Sequence, residues 1–120
     1  MKNISKYYIW LTAIKKSWEE KNFDVLSDLL ADDLEYFESP FGPPLTLKKI
    51  VVEQWKKDLA RQKDIEFTYQ VLAAWEFHCI ANWNAHFVRD NKPVILDGIF
   101  YFKLNTENKC KYFKQWWVVK

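Results

Sequence analysis

The stretch that decides the fold is Val94-Ile-Leu-Asp-Gly-Ile-Phe-Tyr-Phe-Lys-Leu104, near the carboxyl end of the chain. Its odd-numbered positions mix apolar, aromatic and charged side chains, from Ile95 to Lys103. Its even-numbered positions are nearly all apolar, and they are Val94, Leu96, Gly98, Phe100, Phe102 and Leu104. A period of two is typical of a strand with one face on a core. Because strand candidates lie on both sides, we predict that this strand lies inside a sheet and not at its edge.

The alternation extends over the whole chain after Asp64. Two successive strands are predicted. The first has Phe67, Tyr69, Val71, Ala73 and Trp75 on one face. The second has Cys79, Ala81, Trp83, Ala85 and Phe87 on one face. The hairpin between them, around residues 76–78, needs an odd loop or a β-bulge to keep its faces in phase. Residues 90–93 and 105–108 read as four-residue turns before and after the central strand. A final strand follows over residues 109–119.

These turns predict a register that can be checked against the assigned faces. The first turn predicts four inward pairs: Phe87–Leu96, Ala85–Gly98, Trp83–Phe100 and Ala81–Phe102. The second turn predicts the pairs Phe100–Phe113 and Leu96–Trp117. Every pair joins two residues already assigned to the inner face, so the interpretation is self-consistent.

The amino-terminal half reads as three helices and a short strand. The first helix spans about residues 5–20 with Ser5 as N-cap, and its inward side chains are Tyr7, Leu11, Ile14 and Trp18. A second helix over residues 24–30 ends at Asp32-Asp33, and a short strand follows over residues 34–38. Three prolines and a glycine hold residues 39–44 in a rigid loop. Thr46 then caps a third helix to about residue 61, with Leu47, Ile50, Val51, Trp55 and Leu59 inward. This order predicts an α+β fold, with helices packed on one face of a curved antiparallel sheet.

Composition limits the classes of function. The chain of 120 residues is predicted to be one domain over residues 1–120, with 49% hydrophobic residues and seven tryptophans. Two glycines are too few for a dinucleotide-binding or P-loop motif, so those nucleotide chemistries are excluded. The net charge of +2 predicts no nucleic-acid or membrane partner. We expect no secretory leader in residues 1–6, a cytoplasmic location, and reduced thiols at Cys79 and Cys110.

The chain resembles the SnoaL-like and ketosteroid-isomerase-like branch of the NTF2-like superfamily. The residues that carry the resemblance are Phe23-Asp-Val-Leu-Ser-Asp-Leu-Leu-Ala-Asp-Asp33, Glu38-Ser-Pro-Phe-Gly42, Trp83-Asn-Ala-His-Phe87, Leu96-Asp-Gly-Ile-Phe100 and Gln115-Trp-Trp117. The resemblance implies a cone, in which a bent sheet and helices enclose a mostly apolar pocket, and dimers that form through the outer sheet face. Family members include isomerases, cyclases, dehydratases and non-catalytic binding domains, so the fold does not define the function.

The catalytic residues of ketosteroid isomerases do not carry over to this chain. Their aspartate base aligns with Ser39, and a hydroxyl is no base near neutral pH. Their second aspartate, an oxyanion donor, aligns with Phe100, and their tyrosine aligns near Ile14. We therefore do not expect steroid isomerisation.

Three acidic or basic residues remain as catalytic candidates. Glu38 aligns near the pocket mouth and is a candidate general base, although a solvated carboxylate on a short strand is the simpler interpretation. His86 and Asp97 face each other across the predicted hairpin, as in many proton-transfer sites. The predicted register places this pair on the outer face, where a cross-strand or dimer contact is the simpler role. We predict no metal site, because His78 and Cys79 point to opposite faces of a strand and cannot form a cluster with His86. We also predict no cofactor.

The aromatic residues suggest both a pocket and an interface. The predicted ligand-binding residues are Trp10, Tyr36, Trp55, Tyr69, Trp83, Phe100, Phe113 and Trp117. The outer face has the composition of a homodimer interface and carries Ile80, Asn82, Asn84, His86, Ile99, Tyr101, Tyr112 and Trp116. Three functions stay open: a domain that binds a small hydrophobic molecule, a small acid–base enzyme (isomerase, cyclase or hydrolase), and a dimeric protein-binding adaptor. A cavity already filled by rings would favour the adaptor.

Overall fold

A computed structural model describes residues 4–120. Two predictions include residues 1–3, which lie outside the described residues. They are the single domain over residues 1–120 and the absence of a leader in residues 1–6. The described chain forms α1 (Ser5–Glu19), α2 (Phe23–Asp28), β1 (Leu30–Phe37), α3 (Lys48–Leu59), β2 (Gln62–Ala74), β3 (His78–Arg89), β4 (Lys92–Leu104) and β5 (Cys110–Val119). The predicted α+β class is confirmed.

The five strands form one sheet in the order β1-β5-β4-β3-β2. The strand β4 contains the stretch quoted first, and it lies between β3 and β5, which confirms its predicted interior position. Its inner face is buried from Gly98 to Leu104. The sheet is antiparallel except at one edge, where β1 pairs with β5 in parallel. A parallel neighbour requires a crossover connection, and here β1 is followed by α3 and the other strands before the chain returns as β5.

The predicted register of β3 and β4 is wrong by two residues. Asp90 and Asn91 both have left-handed backbones, with φ of 53° and 64°, and make a tight two-residue turn. Pro93 therefore belongs to β4 and pairs with Val88. The observed inward pairs are Phe87–Val94, Ala85–Leu96, Trp83–Gly98, Ala81–Phe100 and Cys79–Phe102. Because the error is even, every side chain keeps its predicted face.

The other two hairpins also differ from regular ladders. Between β4 and β5, Phe100 pairs with Gln115 and Leu96 with Val119, so the predicted partners Phe113 and Trp117 are displaced by two residues. A longer turn and a register shift at Lys103/Leu104 cause this displacement. Between β2 and β3, the register shifts between Val71 and Ala73, which confirms the bulge predicted for that hairpin. Beyond the bulge Ala74, and not Ala73, pairs with Cys79, and Trp75 is left exposed.

The helix boundaries correct three sequence predictions. Neither Ser5 nor Thr46 is an N-cap, because the cap positions are Ile4 and Leu47 and neither of these makes a side-chain capping bond. Since α3 begins at Lys48, Leu47 and Ile50 are exposed, and its inward face is Val51, Trp55 and Leu59. The helix α2 ends before Leu30, since the Leu29 carbonyl accepts from the Cys110 amide and the chain joins the sheet there. Asp32 and Asp33 consequently lie in β1.

The core is an aromatic layer between α1 and the inner sheet face. All four predicted inward residues of α1, Tyr7, Leu11, Ile14 and Trp18, are buried, and so is Trp10. The Trp10 ring stacks on Phe102 with 4.5 Å between centroids. At the other end of α1, Trp18 contacts the rings of Trp55, Phe67 and Trp83. This layer is packed solid around Trp10 and opens into a cavity beyond Trp18.

Candidate functional site

A cavity of about 340 Å³ lies at the end of the core where α3 faces the sheet. Its walls come from the end of α1, the end of β1, the second half of α3 and the inner faces of β3, β4 and β5. The aromatic part of the wall consists of Trp18, Tyr36, Trp55, Trp83, Phe87, Phe100 and Trp117. The polar part consists of Glu38, Gln54, Lys57, Asp58, Arg61, Gln62, Arg89 and Gln115. The rest of the wall is Leu59, Leu96 and Val119.

Five of the eight predicted ligand-binding residues line this cavity: Tyr36, Trp55, Trp83, Phe100 and Trp117. Trp10 and Phe113 do not, because they pack against other rings in the solid part of the core. Tyr69 does not either, because its hydroxyl hydrogen-bonds to Thr12 Oγ1 at 2.8 Å on the outside of α1. The predicted set thus divides into rings that line the cavity and rings that fill the core.

Tyr36 is buried and its hydroxyl accepts a hydrogen bond from Trp55 Nε1 at 2.9 Å. Its ring lies parallel to Phe113, with 4.7 Å between centroids. Burial raises the pKa of the Tyr36 phenol far above its usual range, and the nearby Glu38 carboxylate acts in the same direction. Tyr36 therefore stays neutral and serves as a fixed hydroxyl in the wall, not as a base.

Two carboxyl groups share the cavity, Glu38 just beyond β1 and Asp58 on α3. Partial burial raises the pKa of Glu38, and the negative charge of Asp58 raises it further. Burial of its carboxyl also raises the pKa of Asp58, against the opposing effects of a Gln54 hydrogen bond and the Arg89 charge. Asp58 is exposed overall, so water screens its charge more than that of half-buried Glu38. Glu38 is therefore the stronger candidate for proton transfer.

The position of Glu38 is held by its backbone. The Glu38 carbonyl accepts a hydrogen bond from Gln115 Nε2 at 3.1 Å, which ties the end of β1 to the neighbouring strand β5. Two residues before Glu38, Tyr36 of β1 also pairs with Leu45 across the proline-containing loop. Hydrogen bonds therefore hold both ends of this loop, and Glu38 lies immediately before it.

His86 and Asp97 lie outside the cavity wall. They do not face each other as predicted, because the tight turn shifts the register: His86 pairs with Ile95, and Asp97 pairs with Asn84. Asp97 is exposed and accepts a hydrogen bond from Asn82 Nδ2 at 2.8 Å. The two side chains are on the outer sheet face and cannot act on a molecule in the cavity.

Sequence reasoning missed several residues of the wall, and Asp58 is the most important of them. It lies three residues after Trp55 on α3, so the helical period already places the two side chains on neighbouring positions of one face. Arg89 ends β3, and its guanidinium lies 5.8 Å from the centre of the Phe87 ring. Arg61 is held by Asp90 in a salt bridge. Both arginines line the same cavity as the two carboxyls, and the charge of Arg89 acts on Asp58.

Metal-ligating clusters and cysteine thiols are the other candidate sites to consider in the part of the chain described. Within residues 4–120 no cluster of three or more His, Cys, Asp or Glu side chains could hold a metal ion. Cys79 and Cys110 are both free and buried, and burial raises the pKa of the Cys79 thiol to about 12. A thiol with so high a pKa is a poor nucleophile.

None of the helices within residues 4–120 is long and apolar enough to cross a membrane.

No protein-family model and no curated protein matches this chain. Solved structures do match it, at low identity. The epoxide hydrolase/cyclase-like enzyme SalBIII, which takes part in pyran ring formation in salinomycin, is 11% identical, with a TM-score of 0.83 over 98% of this chain and 95% of that one. A Mycobacterium tuberculosis protein in complex with estradiol-17beta-hemisuccinate is 14% identical, with a TM-score of 0.80 over 94% of each chain.

A third similar structure is an LEH-like epoxide hydrolase from Mycobacterium tuberculosis, 12% identical, with a TM-score of 0.75 over 95% of this chain and 84% of that one. At such identities the comparison establishes the fold and no more. The predicted NTF2-like fold, with its ketosteroid-isomerase-like arrangement of helices and sheet, is confirmed. Proteins with this fold include both ligand-binding proteins and enzymes.

Proposed function

We propose that this protein binds a small, mainly apolar or aromatic molecule in the cavity between α3 and the sheet. The observation that carries the proposal is the cavity itself, about 340 Å³ with seven aromatic side chains in its wall. Pockets for small molecules have volumes of roughly 300–1,000 Å³, mostly apolar walls and a few polar groups that orient the ligand. This open volume argues against the adaptor alternative, which a cavity filled by rings would have favoured.

The similar structures support the proposal without defining the ligand. One of them holds a steroid derivative and two are described as epoxide hydrolases or related enzymes. A steroid has a compact skeleton with a large apolar surface and few polar groups. A ligand of the same general kind suits a wall of tryptophan and phenylalanine rings, since each ring buries a large apolar area.

Native mass spectrometry of freshly purified protein tests this proposal. We expect each 14.6 kDa chain of the native species to carry the extra mass of one drug-sized molecule, and we expect the denatured protein to lose it. The variant Leu96→Trp adds a ring at the cavity wall and should abolish the extra mass. Leu72→Trp is its matched control, because Leu72 is exposed on β2, away from the cavity. Equal extra mass in both variants would contradict binding in this cavity.

A second candidate function is acid–base catalysis, favoured by the two carboxyls with raised pKa in one cavity. Hydrolysis of an epoxide shows how they would act. Asp58 takes a proton from water as the water oxygen bonds to an epoxide carbon, and protonated Glu38 donates a proton to the oxygen released from that carbon. The product is a diol; Asp58 then releases its proton to solvent, and Glu38 takes one up. Carboxyls with raised pKa suit these roles near neutral pH.

The variant Glu38→Gln tests this second candidate, with styrene oxide as the probe. We expect turnover to fall by a factor of roughly 10²–10⁴ while binding is retained. The control Glu35→Gln, at an exposed position of β1, should have no effect. A stability measurement gives an independent reading of the Glu38 pKa. A raised pKa means that the folded state is penalised when the carboxyl is charged, so stability falls as pH rises through the folded pKa. Glu38→Gln should therefore raise Tm at about pH 8 and not below about pH 4.

We also propose that the chain forms a homodimer through its outer sheet face. The helices cover the inner face of the sheet. The outer face carries aromatic and polar side chains, including half-buried Tyr101 and Tyr112 and exposed Trp116. Lys103 lies over both tyrosine rings, and Lys114 lies over Trp116. This mixture of aromatic and polar groups is typical of an interface that also remains soluble when separated.

Light scattering at tens of micromolar tests the dimer. The wild type should have twice the mass of the chain, and Trp116→Lys should shift it to monomer, because Trp116 is 40% exposed on the outer face. Trp75→Lys is a matched control, since Trp75 is similarly exposed, at 44%, but lies in the turn after β2. A monomeric wild type would contradict this proposal and leave the ligand proposal intact.

A further inference from the structure

The side chain of Gln62 brings a hydrogen-bond donor without an acceptor to the cavity wall. Gln62 is 6% exposed and forms part of that wall. Trp18 Nε1 donates to Gln62 Oε1 at 2.9 Å. Because an indole N–H can only donate, this bond determines which end of the carboxamide is the oxygen and leaves Nε2 as the free end. A donor that is buried and unpaired requires an explanation.

The cavity is the open space that Gln62 Nε2 can reach. Within residues 4–120, Trp83 Nε1 is the one side-chain nitrogen or oxygen that is both completely enclosed and without a partner, so no guest molecule reaches it. Gln62 Nε2 donates to no acceptor in the same part of the chain, and it is not completely enclosed. Since Gln62 is buried and borders the cavity, its free N–H groups face the cavity.

Arg89 lies beside Gln62 and adds a positive charge to this part of the wall. The two residues are paired across β2 and β3, so their side chains share the inner face of the sheet. The Arg89 guanidinium lies 5.8 Å from the centre of the Phe87 ring, and Arg89 also lines the cavity. None of the salt bridges in the described part of the chain includes Arg89, so its charge has no fixed counter-ion there.

The carboxyl of Asp58 does not serve as that counter-ion. Burial raises the pKa of Asp58, and a Gln54 hydrogen bond and the Arg89 charge only partly oppose the rise. A close ion pair with an arginine would lower the pKa of a carboxyl instead. The Arg89 guanidinium is therefore near enough to influence Asp58 and still free to bind another anion.

The two neighbouring groups select a ligand group that accepts hydrogen bonds and carries negative charge. Gln62 and Arg89 offer only N–H donors, because the Gln62 oxygen is already occupied by Trp18. A carboxylate accepts from both at once, and hydrogen bonds with ionised partners are about twice as strong as neutral ones. Arg89 is exposed, so a carboxylate beside it keeps part of its hydration while its charge is paired.

We propose that Gln62 and Arg89 form a carboxylate-binding subsite of the cavity, and that the ligand is an aromatic or alicyclic carboxylic acid. This inference rests on the proposed binding function and deepens it by naming the class of ligand. The carboxylate accepts hydrogen bonds from Gln62 Nε2 and from the Arg89 guanidinium, where β2 begins and β3 ends. The apolar body of the ligand packs against the rings of the wall, including Trp55 and Phe100.

Two probes of the same shape test the proposal: 2-naphthoate, which is a carboxylate at neutral pH, and the uncharged 2-naphthamide. The measured quantity is the ratio of their dissociation constants, from calorimetric titration at neutral pH. Wild type should prefer 2-naphthoate, and Arg89→Met and Gln62→Met should each lower this preference about tenfold, the lower end of the range for a hydrogen bond to a charged group. The matched control is Lys63→Met, which removes one positive charge next to Gln62 at an exposed position outside the wall and should leave the ratio unchanged.

A second measurement uses the unmodified protein and stays decisive if Gln62→Met does not fold. In ¹⁵N-labelled protein, the side-chain amide of Gln62 can be assigned by its contact with the Trp18 indole. Its proton resonances should move further downfield with 2-naphthoate than with 2-naphthamide, because the charged acceptor makes the stronger hydrogen bond.

Three outcomes would overturn the carboxylate subsite. The first is an unchanged ratio in Arg89→Met or no shift of the Gln62 amide with 2-naphthoate. The second is a loss of preference in Lys57→Met and not in Arg89→Met, which would place the anion on α3, where Lys57 also lines the cavity. The third is binding of neither probe. In each case the extra mass in native mass spectrometry tests the cavity proposal separately.

Discussion

Phe67→Ala should lower the free energy of unfolding by about 4 kcal/mol, within the range measured for phenylalanine deletions in cores. The Phe67 side chain is fully buried and contacts the rings of Trp18, Trp83, Phe100 and Tyr69, with centroids 5.1–6.4 Å away. The substitution removes the centre of this cluster and leaves a void that the surrounding large rings cannot fill. Urea unfolding followed by circular dichroism measures the loss.

The effect should come from the side chain alone, because the backbone of Phe67 is held independently. Its amide donates to Glu19 Oε2 at 2.8 Å, and its carbonyl accepts from Lys15 Nζ at 2.6 Å. The control is Phe41→Ala, which removes the same atoms from a ring that is 98% exposed and should change stability by less than about 0.5 kcal/mol. Similar losses in the two variants would show that the cluster around Phe67 is not packed as described.

Gly98→Ala should destabilise the protein by about 3 kcal/mol, although it adds only a methyl group. A Cβ at Gly98 would lie 2.4 Å from the Trp116 carbonyl oxygen and 2.6 Å from Trp83 Cε2. The first of these is a backbone atom in the β4–β5 ladder, so relief of the clash requires the strands to separate. We expect Tm to fall by roughly 10 °C.

Gly42→Ala is the matched control for this prediction. There the nearest atom to an added Cβ is Ser39 Oγ at 3.3 Å, a flexible side chain that can rotate away, and the backbone has no positive φ. Gly42→Ala should therefore be neutral or slightly stabilising. If Gly98→Ala were as stable as Gly42→Ala, the close approach of β3, β4 and β5 at Gly98 would be disproved.

The aromatic residues illustrate the limit of prediction from sequence. Periodicity correctly assigned Trp83, Phe100 and Phe113 to the inner face of the sheet, and Trp55 to the inner face of α3. It did not separate the rings that line the cavity from those that fill the core, because side-chain volume alone does not say where the packed layer ends. Trp10 stacks on Phe102 in the filled part, and Trp55 faces the open part.

The sequence by itself determined the order of the helices and strands, the interior position of β4 and the face that each of its side chains takes. Those predictions survived a two-residue error in register because side chains along a strand alternate with a period of two. Only the tertiary structure decided that Asp58 joins Glu38, that His86 and Asp97 lie apart, and that Trp83 keeps an unpaired N–H. Each of these three facts depends either on contacts between segments far apart in the chain or on the geometry of the Asp90-Asn91 turn. The local sequence pattern contains no information on such contacts or on that geometry.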